Sequence, residues 1–592
     1  MRNQVTLALG IGLSLIASAS SARDPSAVEY LRARAIIADY QAEGAEPSKH
    51  SVVVVYFTPS DREPSRDWQA RISRILETTK TFYDTQLKGY QLADEPMRVA
   101  RDAENKVQIH LVTGRGPEAD YPKSSGDAIR KEALPILKAA GVDVENSVLL
   151  IFCNLMNYDG TSITHHSPYY GGGSFRSGVA WQCDSEILDP LRFTDATPLR
   201  DGEYGNITIG KHNSIFIGGV VHELGHALSL PHCRERADQK VRGTALMGSG
   251  NRTFGEELRG EGRGTFLTPA HAMRLAAHPV FSAVTKGLKV KAVADYRDLE
   301  IVAQRQAIVI SGELKAEPPA HALVAYFDRD GGGDYDAQTA VAVPDDQGRF
   351  RIIGPQETPG PRGALKLVVC HANGDTTETT YRYEVDPRGR PDLKLISQRL
   401  KLRPLVAALV AKDIKSARTA YNALKGKDQE VARELIDTFV RPSQQTTTPA
   451  DVAASVKSIS ISDLKPEEAR VGWSGAHYNR VPGDSPVIDV NGVYVAKGIY
   501  AHAPAVHAYR LGNAWKRFSG VAGLQLSSGG SVQFEILGDG KQLWASDKVE
   551  QGRTVAYDVD VSRVDRLELR VNDAGDGGNS DWGIWVQPKL AR

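Results

Sequence analysis

Cysteine is scarce in this chain: Cys153, Cys183, Cys233 and Cys370 are the only four in 592 residues. A small domain held together by a dense disulfide framework is therefore excluded. Four cysteines still allow three pairings, between which the sequence does not choose. We expect one pair, with Cys183 and Cys233 as candidates, to link the middle of the chain.

Net charge is absent as well, because Lys plus Arg and Asp plus Glu both number 72. Nothing therefore favours nucleic acid or an anionic membrane surface as a partner. The length exceeds what one hydrophobic core usually organises, so we expect several domains. No apolar run after residue 17 approaches the length of a membrane span, and an integral membrane protein is not expected.

The first residues are typical of a secretory signal peptide. A short positive start at residues 1–4 precedes an apolar run at 5–17, and small residues suited to cleavage follow it. The pattern predicts a signal peptide over residues 1–22 and a secreted or periplasmic protein. Residues 23–50 contain a helical pattern at 27–42, which is either part of the fold or a pro-segment.

Residues 222–232 read HELGHALSLPH, within an apolar segment long enough for a buried helix. His222 and His226 are four residues apart, so their imidazoles project from one helix face about one turn apart and can share a metal ion. Glu223 is rotated by about 100° from His222 and can reach a metal-activated water molecule. This spacing predicts a zinc site with a general base beside it.

His232 is the third candidate ligand. On a straight helix it would lie about 15 Å along the axis from His222, too far to bind the same ion. The helix must therefore end near Ser229 or Leu230 and turn back, and Pro231 stands where that is required. Three neutral imidazoles leave one tetrahedral position open, which indicates a catalytic site. Cys233 is not expected to close it, since adjacent side chains in a turn seldom both point inward.

The pattern H-E-x-x-H-x-x-x-x-x-H, followed by ALMGS at residues 245–249, resembles the metzincin metallopeptidases. The resemblance implies that the three histidines bind zinc, that Glu223 is the general base and that Met247 lies beneath the site. The family usually has Gly where this chain has Ser229, at a tight turn of the backbone. No Tyr follows Met247 closely, so the tyrosine ligand of some subfamilies is not supplied there.

Strands and helices alternate ahead of the predicted zinc helix. This order implies an α/β sheet with the metal site beside it, and a metzincin-like catalytic domain over residues 51–286. Residues 169–181 are glycine-rich and then β-like. The resemblance implies an edge strand there that borders the cleft and pairs with the substrate backbone, and the alternative is a glycine-rich surface hairpin. The predicted strands are residues 51–57, 107–112 and 148–153, and the predicted helices are residues 67–87, 128–140 and 268–277.

Residues 287–388 change to short strands separated by turns, which predicts an immunoglobulin-like β-sandwich. The first strand of this region is predicted at residues 300–310. One loop brings four carboxylates together beside three glycines and is a candidate calcium site or an acidic hairpin turn. The candidate calcium ligands are Asp328, Asp330, Asp334 and Asp336.

Residues 389–441 return to helical spacing and predict a spacer or small bundle, and 442–454 read as a linker. Residues 455–592 are again strand and turn. Segments such as AKGIYAHA at 496–503 and NDAGDG at 572–577 resemble the NPCBM carbohydrate-binding module family. The resemblance implies a β jelly roll of the galactose-binding-like type, attached to secreted enzymes that act on glycans or glycoproteins.

Aromatic residues beside polar loops could give this module stacking surfaces for sugars, although a sandwich also buries aromatic residues in its core. The candidate carbohydrate contacts are Trp473, Tyr478, Tyr500, His502 and Trp582.

Together these patterns predict a secreted zinc endopeptidase that hydrolyses peptide bonds of protein or glycoprotein substrates, with Glu223 as general base. Two alternatives stay open at this stage. One is a zinc amidase or deacetylase acting on cell-wall or glycan amides. The other is a non-catalytic carbohydrate-binding protein, against which Glu223 argues, since a structural zinc site does not need this carboxylate.

Overall fold

The computed structural model describes residues 22–42, 50–93, 95–282, 286–329, 334–360, 362–440, 445–483, 486–526 and 528–592. The chain forms two compact units, one of residues 1–379 and 385–391, and the other of residues 380–384 and 392–592. The predicted signal peptide lies, apart from Ala22, outside the described residues. Within the described ranges, no helix combines the length and apolarity needed to span a bilayer.

The first unit begins with helices around a five-stranded sheet. The helices are α1 (Ala27–Ala42), α2 (Trp68–Gly89), α3 (Gly126–Ala139), α4 (Ile209–Ala227), α5 (Pro269–Ala276) and α6 (Pro279–Ser282). The strands are β1 (Val52–Thr58), β2 (Ile109–Thr113), β3 (Val148–Cys153), β4 (Met156–Tyr158), β5 (Ser162–His165), β6 (Tyr170–Gly173), β7 (Gly178–Cys183), β8 (Pro198–Asp201), β9 (Gly205–Thr208), β10 (Thr244–Ala245) and β11 (Thr265–Phe266).

The main sheet has the order β2-β1-β3-β7-β6, with only the edge strand β6 antiparallel to its neighbour. Strands β1 and β3 are buried along their whole length, because α2 packs on one face of the sheet and α3 on the other. Strands covered on both sides read as continuous apolar runs, which is why the sequence revealed them. The strands and helices predicted in this region are confirmed, with small shifts at their ends.

A sandwich of two sheets follows in the same unit. Its sheets have the orders β12-β13-β16 and β15-β14-β17-β18-β19. The strands are β12 (Val293–Gln304), β13 (Ala307–Glu317), β14 (Ala320–Arg329), β15 (Gln338–Ala342), β16 (Arg349–Gln356), β17 (Gly363–His371), β18 (Thr376–Val385) and β19 (Pro391–Asp392).

The single strand predicted over residues 300–310 is wrong. Gln304 pairs with Ala307, so Arg305 and Gln306 form a two-residue turn between β12 and β13. Arg305 takes the left-handed conformation that such a turn needs, at φ 57°. Arginine gives no sequence signal for that conformation, and the hairpin therefore looked like one strand.

Strands β14 and β17, in the middle of the second sheet of the sandwich, are buried on both faces. Phe327 of β14 faces β16, since a Cβ on Gly354 would lie 2.6 Å from its ring. Ala322, Val324 and Tyr326 alternate with it and join the same apolar cluster as α4 and α5. The predicted boundary between residues 286 and 287 is therefore not a boundary between separate cores.

Helix α1 packs into this common core through Tyr30, Ala33 and Ile37. Asp24, just before α1, accepts hydrogen bonds from Arg236 at 2.5 Å and from Gln239 at 2.7 Å. Residues 24–37 therefore pack as part of the first unit.

The second unit starts with three helices, α7 (Lys394–Val410), α8 (Ile414–Ala423) and α9 (Gly426–Val440), as the helical spacing predicted. They are more than a spacer, because Leu405, Leu409 and Leu435 share an apolar cluster with Val487 and Ala496 of the following domain. The helical segment is therefore fixed to that domain.

The last domain of the second unit is a β-sandwich of two six-stranded sheets, accompanied by a short hairpin. Its strands are β20 (Ser458–Ser460), β21 (Glu468–Val471), β22 (His477–Tyr478), β23 (Ile488–Val490), β24 (Val493–Val495), β25 (Gly498–His502), β26 (Ala505–Arg510), β27 (Arg517–Leu524), β28 (Ser531–Gly538), β29 (Lys541–Ala545), β30 (Val549–Glu550), β31 (Thr554–Asp560), β32 (Arg566–Asn572) and β33 (Trp582–Ala591).

Candidate functional site

Three histidines converge at the end of helix α4. The ring centroids of His226 and His232 are 4.4 Å apart, and those of His222 and His226 are 4.9 Å apart. One ligand nitrogen from each lies within 4.8 Å of the others, and no other such group of three His, Cys, Asp or Glu residues occurs among the described residues. The structure thus brings together the three imidazoles whose spacing predicted a metal site.

Hydrogen bonds to backbone carbonyls orient two of these rings. His222 Nδ1 lies 2.7 Å from the carbonyl oxygen of Leu246, and His226 Nδ1 lies 2.8 Å from that of Leu230. A carbonyl only accepts, so each Nδ1 carries the proton and each Nε2 keeps a lone pair for a metal. Burial beside His226 lowers the pKa of His222 to about 3, which keeps it in the neutral form that binds metals.

The distances suit a tetrahedral metal ion. The Nε2 atoms of His226 and His232 are 2.9 Å apart, and two nitrogens bound tetrahedrally to one zinc ion would be about 3.3 Å apart. His222 is buried, whereas His226 and His232 are half-buried, so one side of the group is open. The donor set therefore fits zinc, with a fourth position left for a reactant.

The turn that returns His232 to the helix is a Schellman motif. Leu230 N–H donates to the Gly225 carbonyl and Ser229 N–H to the His226 carbonyl, both at 2.9 Å. Ser229 occupies the left-handed position at φ 71°, which Gly usually fills. Arg274 donates a hydrogen bond to the Ser229 carbonyl at 2.8 Å and stabilises the turn. Helix α4 ends at Ala227, slightly earlier than predicted.

Met247 lies behind the helix that carries the ligands. A Cβ on Gly225 would lie 2.6 Å from the Met247 sulfur, so the methionine packs directly against the helix between the first two histidines. Met247 is fully buried, and its carbonyl accepts a hydrogen bond from Cys233 N–H at 3.1 Å. A role of Met247 beneath the three histidines, as the resemblance implies, stays a prediction.

Glu223 is the carboxylate next to this group. Its side chain is 8% exposed, and burial raises its pKa to about 8. The backbone N–H of Gly171, in strand β6, donates a hydrogen bond to this carboxylate and partly opposes that rise. A carboxyl with a pKa near neutrality is well matched to accept and return a proton.

Strand β6 approaches α4 so closely that only glycine fits. A Cβ on Gly171 would lie 2.3 Å from the Glu223 carbonyl oxygen, and Cβ atoms on Gly173 and Gly178 would lie 2.1 and 1.9 Å from that of Ala227. The glycine-rich stretch therefore lets an edge strand lie directly beside the histidines. Strands β6 and β7 form an antiparallel hairpin, and β6 is the edge strand of the sheet. Residues 169–181 thus contain both the hairpin and the edge strand, and substrate pairing remains a prediction.

The predicted disulfide between Cys183 and Cys233 is wrong, since all four cysteines are free. Cys183 lies at the end of β7, 3.7 Å from His165, whereas Cys233 lies against Thr268 and His271. The two sulfur atoms have different neighbours, and neither joins the histidine group.

In the second unit, Trp473 and Trp582 form an aromatic surface. Their ring centroids are 5.3 Å apart, the His502 ring lies 6.2 Å from Trp473, and Trp473 is 51% exposed. Asp581, just before Trp582, helps to line a cleft of about 440 Å³. The other lining residues include Ser531, Lys548, Asp576 and Asn579.

Residues 457–591 match the NPCBM/NEW2 domain family. The β-sandwich at the end of this chain is an NPCBM domain.

A curated relative named "Putative endo-alpha-N-acetylgalactosaminidase", from Renibacterium salmoninarum, is 27% identical to the chain over 118 residues. That match covers 19% of this chain and 8% of the relative, so the chain corresponds to only a small part of that protein.

Several solved structures are also similar. OgpA from Akkermansia muciniphila, in complex with an O-glycopeptide, is 24% identical over 57% of this chain and 94% of that chain, with a TM-score of 0.48. CBM51 from Clostridium perfringens GH95, in complex with methyl-galactose, is 25% identical over 23% of this chain and 99% of that chain, with a TM-score of 0.22. The M60 catalytic domain with two CBM51 domains of Clostridium perfringens ZmpB is 14% identical over 65% of this chain and 40% of that chain, with a TM-score of 0.23. These scores are too low to carry an argument about fold or function.

The structure places only three of the five candidate sugar contacts of the NPCBM domain together. Trp473, Trp582 and His502 lie together, but Tyr500 is fully buried beneath them, with its ring 5.5 Å from Trp582. A stacking role for Tyr500 is therefore wrong, because no ligand can reach it. Tyr478 is half-buried, and its hydroxyl lies 3.1 Å from His507 Nδ1, apart from this group.

The candidate calcium loop is only partly described. Asp330 and the side chain of Asp334 lie outside the described residues, and one oxygen of Asp336 is buried without a hydrogen-bond partner among the described atoms. Asp328 lies at the end of β14. Calcium binding by this loop stays a prediction.

One residue at the histidine group was missed by the sequence analysis. Tyr335, in the sandwich of the first unit, stacks on the ring of His232 with 3.6 Å between centroids. In the sequence it lies between the candidate calcium ligands Asp334 and Asp336. No signal in the sequence links a loop of one predicted domain to a histidine of another.

Proposed function

We propose that this protein is a zinc-dependent endopeptidase directed to glycans or glycoproteins. The observation that carries the proposal is the convergence of His222, His226 and His232 beside the buried carboxylate of Glu223. Three oriented imidazoles with an open fourth position, next to a potential general base, are the arrangement of a hydrolytic zinc centre. The pattern at residues 1–22 supports export as its location.

Zinc in this position would supply Lewis-acid chemistry, which polarises a carbonyl group and makes a water molecule acidic enough to lose a proton near pH 7. Glu223 accepts that proton and later delivers it to the leaving amine. Its buried position next to His222 suits both steps. The Leu246 and Leu230 carbonyls hold the His222 and His226 rings in the tautomer that leaves Nε2 available.

Strand β6 offers a place for the peptide. It is the edge of the five-stranded sheet, and its glycines lie within contact distance of the helix that carries Glu223. An extended peptide that adds to this edge is held mainly through its backbone, which demands little of its side chains. The scissile bond would then lie beside the histidines. This arrangement supports a peptidase over an amidase that acts on small amides.

The NPCBM domain supports a glycan-bearing target. Three observations point to a sugar ligand. The domain belongs to the NPCBM/NEW2 family, it carries the Trp473–Trp582 surface, and the chain has a relative named for N-acetylgalactosamine chemistry. Aromatic faces stack on sugar rings, while polar clefts bind their hydroxyl groups. We propose that this domain holds the protein on glycosylated material while the first unit cleaves peptide bonds.

The test compares the wild-type chain with Glu223→Gln and with Glu145→Gln, which changes an exposed carboxylate of the same unit. Each protein is assayed for zinc content and for hydrolysis of a glycosylated protein and its deglycosylated form. We expect Glu223→Gln to retain zinc and to lose activity at least about 1,000-fold, because the amide cannot accept the proton.

The control Glu145→Gln should keep wild-type activity. Equal activity of Glu223→Gln and the wild type would refute the proposed base. Loss of zinc from the glutamine variant would show that Glu223 is a ligand instead. Release of sugars or acetate with intact peptide bonds would favour a glycan amidase over the peptidase.

A further inference from the structure

Tyr335 reaches the histidine group from the β-sandwich of the first unit. It belongs to the short 3₁₀ turn Asp334–Asp336, and its ring stacks on His232 with an interplanar angle of 25°. It is also nearly parallel to the His222 ring, at 11° and 6.4 Å between centroids. With 51% of Tyr335 exposed, its ring covers His232 on one side while much of the side chain faces solvent.

Backbone contacts hold the two partners of this stack in place. The N–H of Arg234, two residues after His232, donates to the carbonyl of Ala337, two residues after Tyr335, at 2.9 Å. The Arg236 guanidinium donates to the Thr339 carbonyl at 2.8 Å, and its side chain is only 4% exposed. The chain after His232 is thus attached to the chain after Tyr335 at two points.

We propose that Tyr335 is a positioning residue for His232, held against that imidazole by the stacking of the two rings. This inference rests on the metal centre proposed above. The carbonyl groups of Leu246 and Leu230 accept hydrogen bonds from His222 and His226, and the face of the Tyr335 ring packs on His232. An electron-rich ring also attracts an imidazole that shares its lone pair with a cation.

The sandwich therefore completes the metal centre instead of serving as a passive spacer. Contacts that orient a ligand without touching the metal typically change metal affinity about 10–100-fold when they are removed. Stacking requires the ring of Tyr335 and does not require its hydroxyl group. This difference separates an aromatic positioning role from a role of the hydroxyl.

The test measures zinc affinity of the full chain by competition with a chromophoric chelator, so that activity is not needed as a readout. The variants are Tyr335→Phe, Tyr335→Leu, Tyr335→Ala and His232→Ala. We expect Tyr335→Phe to bind zinc within about threefold of the wild type, and Tyr335→Leu and Tyr335→Ala to bind about tenfold more weakly. Thermal unfolding of the zinc-free proteins shows whether any variant has lost its fold. If Tyr335→Ala has lost its fold, Tyr335→Leu still tests the stacking, because leucine retains side-chain bulk.

Wild-type zinc affinity in Tyr335→Leu, together with a large loss in His232→Ala, would overturn this inference and leave the proposed metal centre intact. Wild-type affinity in His232→Ala would refute the metal centre itself. Equal losses in Tyr335→Phe and Tyr335→Leu would assign the effect to the hydroxyl and overturn the stacking role.

Discussion

The contact between strand β6 and helix α4 predicts a large effect from one methyl group. In Gly171→Ala, the added Cβ would lie 2.3 Å from the carbonyl oxygen of Glu223, about 1 Å short of ordinary contact, which begins at 3.4 Å. The backbone of residue 171 fixes the position of the Cβ, and the oxygen belongs to the backbone of Glu223, so a side-chain rotation cannot relieve the clash. The strand, the helix or both must move.

The expected magnitudes follow from that displacement. Overpacking of this kind typically costs about 1–3 kcal/mol of unfolding free energy. The same movement would separate the Gly171 N–H from the Glu223 carboxylate and shift the proposed base relative to the edge strand. A misplacement of about 1 Å in an active site can lower the rate about 100-fold. We therefore expect Gly171→Ala to lower the unfolding free energy by about 1–3 kcal/mol and the rate about 100-fold.

Gly172→Ala is the matched control, because the neighbouring glycine of β6 has no atom within 4 Å of the position of an added Cβ. It should change stability by less than about 0.5 kcal/mol or increase it slightly, since alanine restricts the unfolded chain. Urea unfolding gives the free energies, and hydrolysis of a glycoprotein by each variant gives the rates. Identical urea midpoints for the two variants would refute the close approach of strand and helix.

Three further effects are expected. Asp184→Asn should lower the unfolding free energy by about 3–5 kcal/mol, because it leaves the buried Arg71 guanidinium without its counter-ion. Arg71 is 3% exposed and pairs with Asp184 at 2.8 Å. A smaller loss of free energy in urea unfolding would contradict this. Ser229→Gly should raise it by about 1 kcal/mol by removing a side chain from the left-handed region, and a destabilised variant would mean that the contact of Ser229 with Arg274 matters more. Trp473→Ala should weaken retention on immobilised mucin about tenfold without altering hydrolysis of a sugar-free peptide, whereas unchanged retention would exclude this aromatic surface.

The local part of the site could be predicted from the sequence because its geometry is set over a few residues. Helical spacing places His222 and His226 on one face, and Pro231 marks the end of the helix before His232. The structure brings the three rings together as that reasoning requires. Zinc binding and catalysis remain predictions that the experiments above can decide.

The non-local part could not be predicted. Tyr335 and Gly171 reach the histidines and Glu223 only through packing between elements that are distant in the chain. Tyr500 was misjudged for a related reason: strand β25 is buried on both faces, so the alternation that separates core from surface is missing. The sequence indicated surface exposure no more clearly for Trp473 than for Tyr500, yet Trp473, on the loop before β22, is exposed.

Strands β14 and β17 of the first unit, buried on both faces, limit how this protein can be divided into fragments. A cut near residue 287, where the sequence suggests a natural joint, would uncover the apolar residues of β14 that pack toward α5. The cut would give two fragments with exposed apolar surface, which promotes aggregation, in place of two independent domains. The first unit should instead unfold in a single transition, and an expression fragment that preserves its core would have to extend through residue 391.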